Sequence, residues 1–258
     1  MSEESKDLLY EVREGAAWLT INRESKRNSI SVEVIDLFDE SLDEAEADDQ
    51  VRVLCITGSG EKAFCSGADL GSTVGGQGAD GPMRYARLLE RMSTYPKPLV
   101  ARLNGHCLAG GMGLMLSCDM VYAHEGVQVG TPEVKVGLFP MMISPLIVRN
   151  MPRKAAMEMM FTGERLSARR AEALGLITRS VATRELDDTV NAVLESICAN
   201  APLAIRMGRQ AMAQVEDMEL KEAIPYLHRR LLAVLNTEDA AEGLSAFFGK
   251  REPDFKGK

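Results

Sequence analysis

The sequence predicts an α/β fold that ends in a helical region. In the first two thirds of the chain, short apolar runs rich in β-branched residues alternate with segments whose apolar residues recur at helical spacing. In the last third only the helical spacing is found. Strands interleaved with helices and followed by a helical tail are typical of an α/β protein with an added helical region.

Five strands are predicted in the first half of the chain. Residues 8–12 and 17–21 form a hairpin whose turn lies at Glu14 and Gly15. The other three strands, each a short apolar run, are residues 51–57, 98–103 and 120–123. A loop rich in glycine and serine, residues 58–81, follows the strand of residues 51–57.

The helices are predicted from apolar residues at helical spacing. Residues 32–47 follow Ser31, whose side chain is suited to cap the first turn. Residues 83–95 end before Pro96, and residues 105–118 begin with small residues and continue as a buried apolar helix. Two further apolar helix faces lie near the C-terminus and consist of Leu186, Val190, Val193, Leu194 and Ile197, and of Leu220, Ile224, Leu227, Leu231 and Leu235.

The bulk composition argues against several classes of protein. A formal net charge of −8 does not suit general nucleic-acid binding. The five cysteines contain no C-x-x-C pair, so we expect reduced thiols in a cytoplasmic protein. Residues 1–9 are polar and acidic, unlike a signal peptide. The longest apolar run, residues 138–148, is too short to span a membrane.

Three other kinds of site find too little support in the sequence. Residues 58–63 match the G-x-G-x-x-A pattern of dinucleotide-binding loops, but no helical period follows them, as that fold requires. Ser66 lacks the G-x-S-x-G frame of a hydrolase nucleophile. No pair of histidines or cysteines has the spacing of metal ligands, so no metal site is predicted.

Three segments together indicate acid–base chemistry beside an anionic oxygen. Residues 57–70 form a loop whose glycines let the backbone approach a ligand. Residues 104–114 are a turn of small residues that opens a helix, so its N–H groups point outward. Residues 130–140 place one carboxylate, Glu133, after a Thr-Pro turn. Taken singly, each segment is better explained as a tight turn or a surface glutamate.

In that order, the three segments resemble the signature of the crotonase (enoyl-CoA hydratase/isomerase) superfamily. Residues 22–29, 152–176 and 243–253 also match, so the resemblance covers nearly the whole chain. It implies a crotonase-like spiral of ββα units over residues 1–200 and a C-terminal helical trimerisation region over residues 201–258. It further implies an acyl-CoA thioester as substrate, no separate cofactor, and assembly into a homotrimer or a dimer of trimers.

The resemblance implies three catalytic positions. The backbone N–H groups of Ala68 and Gly110 would bind the thioester oxygen, and Glu133 would act as the general acid and base. Two-glutamate hydratases carry a further acid three positions after Gly110, where this chain has Gly113. The same glycine resembles a hydratase-like branch of the family. In that branch a substrate carboxylate or another residue would assist the single glutamate in place of the missing acid.

The resemblance also implies substrate contacts. Ser66, Asp69 and Leu70 fall where the family lines the CoA channel, although Asp69 is equally explained as a residue that fixes its loop. The candidate phosphate contacts are Lys26, Arg27, Lys250 and Arg251, and each is better explained as an ordinary solvated charge. The candidate acyl pocket, whose apolar members are equally explained as plain core, consists of Met112, Gly113, Phe139, Met141, Met142 and Ile143.

The sequence therefore predicts an enoyl-CoA hydratase, which adds water reversibly to a 2-enoyl-CoA. One carboxylate suffices to move a proton between C2 and C4, so a single-glutamate enoyl-CoA isomerase is the alternative. A third hypothesis, from another class, is a non-catalytic acyl-CoA-binding homologue. We expect none of the three to bind nucleic acid or a membrane.

Overall fold

The computed structural model describes residues 6–69 and 81–258 as an α/β protein with two sheets, which confirms the predicted fold class. The strands in these residues are β1 (Leu8–Arg13), β2 (Ala16–Ile21), β3 (Val53–Gly58), β4 (Ala63–Cys65), β5 (Leu99–Leu103), β6 (His106–Leu108), β7 (Met120–His124), β8 (Gln128–Gly130), β9 (Arg165–Ser167) and β10 (Arg179–Val181). They form a six-stranded sheet of order β1-β2-β3-β5-β7-β10 and a four-stranded sheet of order β4-β6-β8-β9.

The larger sheet is parallel except for its first two strands. β1 and β2 are antiparallel and are joined by the predicted turn, where Glu14 has a φ of 49° and Gly15 a φ of 84°. Two successive positive φ angles are what a two-residue hairpin loop requires. Every later neighbour pair in this sheet is parallel, so helices must carry the chain back between strands.

Helices surround both sheets and continue to the C-terminus. Those within the described residues are α1 (Val32–Ala47), α2 (Gly81–Thr94), α3 (Gly110–Leu116), α4 (Ser144–Asn150), α5 (Arg153–Thr162), α6 (Ala168–Ala173), α7 (Leu186–Cys198), α8 (Pro202–Val215), α9 (Leu220–Leu235) and α10 (Glu238–Gly249). One-turn 3₁₀ segments lie at Glu24–Lys26, Pro132–Val136 and Thr183–Glu185. No helix in the described parts of the chain is long and apolar enough to cross a membrane.

The central strands of the six-stranded sheet are buried on both faces. Helix α1 has the bounds predicted for it, and the Ser31 hydroxyl accepts the Val34 N–H at 3.3 Å, as an N-cap should. Its buried face, which includes Phe38, packs on one side of the sheet. Helix α7 covers the other side through Leu186, Val190 and Leu194. Apolar residues on both faces explain why the strands are continuous apolar runs.

The smaller sheet is the main departure from the prediction. Strand β4 lies inside the predicted loop of residues 58–81, and β6 replaces the start of the helix predicted at residues 105–118. Three-residue strands carry no detectable periodicity, so only pairing with distant segments reveals them. β4 and β6 are parallel neighbours, which brings the segments that follow them to the same edge.

The C-terminal helices are tied to the α/β core. Arg209 of α8 donates from Nε to Asp119 at 2.8 Å and from Nη2 to the carbonyl oxygen of Met92 at 2.9 Å. Its side chain is nearly buried in this contact. The predicted division of the chain at residue 200 stays a prediction, and helix α8 begins at Pro202.

Candidate active site

Two residues with unused backbone N–H groups, Ala68 and Gly110, lie in contact in the loops that follow β4 and β6. A Cβ built on Gly110 would lie 3.5 Å from the nitrogen of Ala68, so the two residues are in contact. Among the described residues, neither the Ala68 nor the Gly110 N–H donates a hydrogen bond to the protein. Gly110 is also the first residue of α3, where N–H groups lack partners within the helix. Two unused donors in contact can bind one anionic oxygen.

Small residues make this close approach of the two loops possible. A Cβ on Gly67 would lie 2.8 Å from the Cβ of Ala109 and 3.0 Å from the nitrogen of Gly110, and Gly67 has a φ of 99°. A Cβ on Gly111 would lie 2.8 Å from the Cβ of Cys65. Ala109 itself has a φ of 50°, a strained conformation for a residue with a side chain. This strained residue directly precedes Gly110, whose N–H group belongs to the site.

The backbone of residues 27–30 holds the first loop in place. The Ser66 N–H donates to the carbonyl oxygen of Arg27 at 3.1 Å, and the Ile30 N–H donates to Gly67 at 2.8 Å. The Asp69 N–H then donates to Ile30 at 2.8 Å. These bonds flank Ala68 on both sides and leave its own N–H pointing away from the ladder.

Glu133 is the acidic side chain of the site. It lies at the start of the Pro132–Val136 turn, where Pro132 sets the first position. Its Oε2 is buried and has no hydrogen-bond partner among the described residues. Burial raises the pKa of this carboxyl, and a hydrogen bond from its own backbone partly opposes that change. A carboxyl with a raised pKa and an unused oxygen is suited to accept and return a proton.

One cleft of about 580 Å³ joins these groups. It is mainly apolar, and its polar side chains include Glu133, Ser66, Tyr85 and Lys135. The predicted site residues that line it are Ser66, Ala68, Gly110, Glu133, Phe139, Met141, Met142 and Ile143. Residues from four separate parts of the chain, 66–68, 82–85, 109–110 and 132–143, therefore share one surface.

Two predicted acyl-pocket residues lie outside the lining of the cleft. Met112 is fully buried in the main hydrophobic core, which agrees with the alternative explanation that it is plain core. Gly113 is buried beneath the cleft, where a Cβ would lie 2.6 Å from the Tyr85 hydroxyl oxygen and 2.7 Å from Cγ2 of Ile143. Position 113 therefore has no room for a longer side chain while Tyr85 stays in place.

Asp69 of the first loop pairs with two basic side chains from the segment that follows β2. Arg23 donates to Asp69 at 3.0 Å and to the carbonyl oxygen of Ser29 at 2.6 Å. Lys26 lies 3.6 Å from the same Asp69 carboxylate. These contacts favour the explanation that Asp69 fixes its loop, and they place Lys26 beside it. Leu70 lies outside the described residues.

Arg27 belongs to a second depression, of about 370 Å³, on the other side of the Ser66 loop. Ser66 lines both this depression and the cleft. Burial and the nearby charge of Arg165 lower the pKa of His106, so this imidazole is neutral at pH 7. The lining has three cationic side chains, Arg27, Lys62 and Arg165, and one acidic side chain, Glu61, together with His106 and His124.

Tyr85 is the site residue that sequence reasoning missed. It lies in α2, lines the cleft and donates its hydroxyl hydrogen to the carbonyl oxygen of Gly110. In the sequence it occupies a position of the apolar helix face, where a tyrosine is indistinguishable from a core residue. Only its contact with Gly110 and Gly113 reveals the polar role.

The comparisons with known proteins find relatives over nearly the whole chain. Residues 11–258 match the family model described as enoyl-CoA hydratase/isomerase. A Thermus thermophilus protein with a provisional enoyl-CoA hydratase name is 37% identical over 96% of this chain and 100% of its own length. The (E)-benzylidenesuccinyl-CoA hydratase of Thauera aromatica is 33% identical over 96% of this chain and 98% of its own length.

Solved structures show the same architecture. The enoyl-CoA hydratase from Bacillus anthracis superposes with a TM-score of 0.93 at 29% identity, covering 98% of this chain and 100% of that chain. The enoyl-CoA hydratase from Mycobacterium smegmatis gives a TM-score of 0.93 at 30% identity, covering 97% and 99% of the two chains. The likeness therefore extends over the strands, the loops of the site and the C-terminal helices.

Proposed function

The chain belongs to the enoyl-CoA hydratase/isomerase family and has its crotonase-like fold, and from that premise we propose that it adds water reversibly to a 2-enoyl-CoA. The observation that carries the proposal is the pair of unused N–H groups of Ala68 and Gly110 in the cleft that contains Glu133. The Thauera aromatica relative, a hydratase by name, supports water addition within the family.

The proposed reaction follows from the charges that these groups can stabilise. The thioester oxygen lies between the two N–H groups, so the C2=C3 electrons can move towards it as an oxygen forms a bond with C3. Glu133 removes one proton from the attacking water and then returns a proton to C2 as the enolate collapses. Each N–H donor lowers the barrier by roughly 3 kcal/mol, because the charge it meets develops only in the transition state.

The remainder of the substrate has matching surfaces beside the cleft. The apolar wall at Phe139 and Met142 suits an acyl chain. On the far side of Ser66, the basic depression at Arg27 suits the phosphates of CoA, with Lys26 close by on the same loop. The reaction proposed here needs no cofactor apart from the CoA of the substrate itself.

The carboxylate provides the direct test. Glu133→Gln keeps the shape of the side chain and removes its basicity, so we expect the rate of crotonyl-CoA hydration to fall at least ~100-fold. Loss of the enoyl-thioester absorbance measures the rate. Glu164→Gln, a change of an exposed glutamate, serves as the matched control. An inactive wild type that still binds acyl-CoA would instead support the non-catalytic homologue, and undiminished turnover in Glu133→Gln would show that Glu133 is not the general acid and base.

A second candidate function rests on Gly113. With no acid at position 113, Glu133 alone can carry a proton between C2 and C4 of a 3-enoyl-CoA, which is isomerase chemistry. Supplying the wild type separately with crotonyl-CoA and with a 3-enoyl-CoA distinguishes the two reactions. A protein that isomerises the second substrate and leaves the first unchanged is an isomerase.

The proposal extends to a homotrimer, which the C-terminal helices support. Leu220 on α9 is 73% exposed, and Phe247 and Phe248 on α10 are 77% and 79% exposed. Large apolar side chains at such exposure on neighbouring helices are typical of an interaction surface. A second and a third copy of this chain are the proposed occupants. The cytoplasmic location expected from the cysteines stays a prediction.

A further inference from the structure

Resting on the proposed hydration, we propose that the Tyr85 hydroxyl is the second group that holds the attacking water, in the place that an acidic side chain at position 113 would take. A water molecule whose two hydrogens are both held by acceptors is fixed with a lone pair of its oxygen directed towards C3. Glu133 supplies one acceptor. The structure assigns the other acceptor to Tyr85.

The position of the hydroxyl oxygen is the first step of the argument. It lies 2.6 Å from where a Cβ on Gly113 would stand, so it occupies the space in which a side chain at position 113 would begin. Leu89 Cδ1, at 3.0 Å from the same point, closes the space from another side. Because position 113 is a glycine, the oxygen atom at this place in the cleft comes from Tyr85 on α2 and not from a side chain on α3.

The hydrogen bonds of Tyr85 decide what it can offer. Its hydrogen is donated to the carbonyl oxygen of Gly110, so the hydroxyl is not free to donate to the substrate. Burial raises its pKa well above the ordinary value, which keeps the phenol protonated at neutral pH. A phenol oxygen that donates its hydrogen keeps lone pairs that can accept a hydrogen bond from water.

The first acceptor, Glu133, lines the same cleft as Tyr85. Its Oε2 is buried and has no partner among the described residues. A water that donates one hydrogen to this oxygen and the other to Tyr85 keeps its own lone pair for C3. The proton on the Glu133 side is then the one that is transferred, because a carboxylate is the stronger base.

The test separates water binding from every other role of the tyrosine. Tyr85→Phe keeps the ring against Gly110 and Gly113 and removes the oxygen. For crotonyl-CoA hydration we expect kcat to fall roughly tenfold to hundredfold, the scale of one lost hydrogen bond to a charged or reacting group, with KM within about twofold. Exchange of the C2 hydrogens of butyryl-CoA in D₂O provides the comparison. This exchange needs Glu133 and the two N–H groups but no attacking water, so its rate in Tyr85→Phe should differ from the wild-type rate by less than about twofold.

Tyr95→Phe is the matched control. The Tyr95 hydroxyl is also buried and donates to a carbonyl oxygen, that of Leu42, at 2.7 Å, away from the cleft. Its removal should lower the melting temperature by a similar amount and leave hydration unchanged. Replacing Tyr85 with 3-fluorotyrosine, which keeps the ring and hydroxyl but weakens the oxygen as an acceptor, should slow hydration and spare exchange.

The outcomes are distinct. Hydration at the wild-type rate in Tyr85→Phe would overturn the role of Tyr85 and leave the proposed hydratase intact. Equal losses of hydration and exchange would also overturn it, because the tyrosine would then act only through Gly110. If the wild type does not hydrate crotonyl-CoA at all, the proposed function fails first and this inference fails with it.

Discussion

At the scale of single residues, Glu133 combines a chemical advantage with a cost to folding. Its pKa is raised mainly by burial, and Oε2 has no partner among the described residues to offset the loss of water. A buried polar group without a partner destabilises the folded state. The same lack of a partner leaves the oxygen available to a proton of the substrate or of water. Activity and stability therefore make opposite demands on this side chain.

The stability of Glu133→Gln tests that conflict. A carboxyl whose pKa is higher in the folded than in the unfolded state stabilises folding below its unfolded pKa of 4.5 and loses that contribution as the pH rises through the folded value. At pH 7 the glutamine variant, which carries no charge, should therefore unfold at a higher temperature than the wild type. The difference should shrink in acid, where the wild-type carboxyl is protonated. Thermal unfolding across this pH range measures it, and a less stable variant at pH 7 would contradict the argument.

The pH dependence of catalysis should follow from the same group. The base form of Glu133 is needed for hydration, so kcat/KM should fall on the acid side with an apparent pKa above the ordinary 4.5. A pH profile with crotonyl-CoA provides the measurement. An acid limb centred below 4.5 would show that another group controls the reaction.

At the scale of elements, α3 begins with two neighbouring glycines, Gly110 and Gly111, whose surroundings differ. Together they position the Gly110 N–H group. The Cβ of an alanine at position 110 would meet Ala68 N at 3.5 Å, an ordinary contact, whereas at position 111 it would lie 2.8 Å from the Cβ of Cys65. The first site borders the cleft and the second is packed against the first loop. The two glycines therefore serve different purposes.

Alanine at each position should separate function from stability. Gly110→Ala should keep the wild-type melting temperature, yet slow hydration at least ~10-fold, because the methyl group occupies space beside the Ala68 N–H that the thioester oxygen needs. Gly111→Ala should lose about 1–3 kcal/mol of unfolding free energy through overpacking. Thermal unfolding and crotonyl-CoA turnover of both variants give the comparison, and equal stability losses would contradict it.

At the scale of the whole molecule, the proposed trimer would cover the exposed apolar faces of α9 and α10. Leu231 is 54% exposed in the single chain, although it belongs to an apolar helix stripe. Burying such a residue against a neighbour stabilises an assembly through the hydrophobic effect. The solved relatives with enoyl-CoA hydratase names cover these helices as well as the core.

A charge placed on this surface should disrupt the assembly. We expect the wild type to have a mass three times that of the 28.2 kDa chain, or a multiple of it, by light scattering. Leu231→Glu should shift the population towards the single chain, since a buried charge without a partner is costly. Gln50→Glu adds the same charge at an exposed position of another surface and serves as the control. A wild type that is already monomeric would rule out the trimer.

The sequence alone determined the features that depend on neighbours along the chain. Helix α1 with its Ser31 cap, the turn at Glu14 and Gly15, and the α/β order of elements were all predicted, because capping, turn angles and apolar spacing act within a few residues. The order of the glycine-rich segments and Glu133 also identified the family.

Only the tertiary structure decided which distant groups meet. The small sheet consists of strands as short as β4, which exist through pairing with remote segments and leave no periodic signal. The contact between Ala68 and Gly110 and the placement of Tyr85 over Gly113 depend on packing between elements that lie far apart in the chain. Because such contacts are set by the shape of the folded molecule and not by local spacing, the sequence indicated the carboxylate of the site but not the tyrosine that faces it.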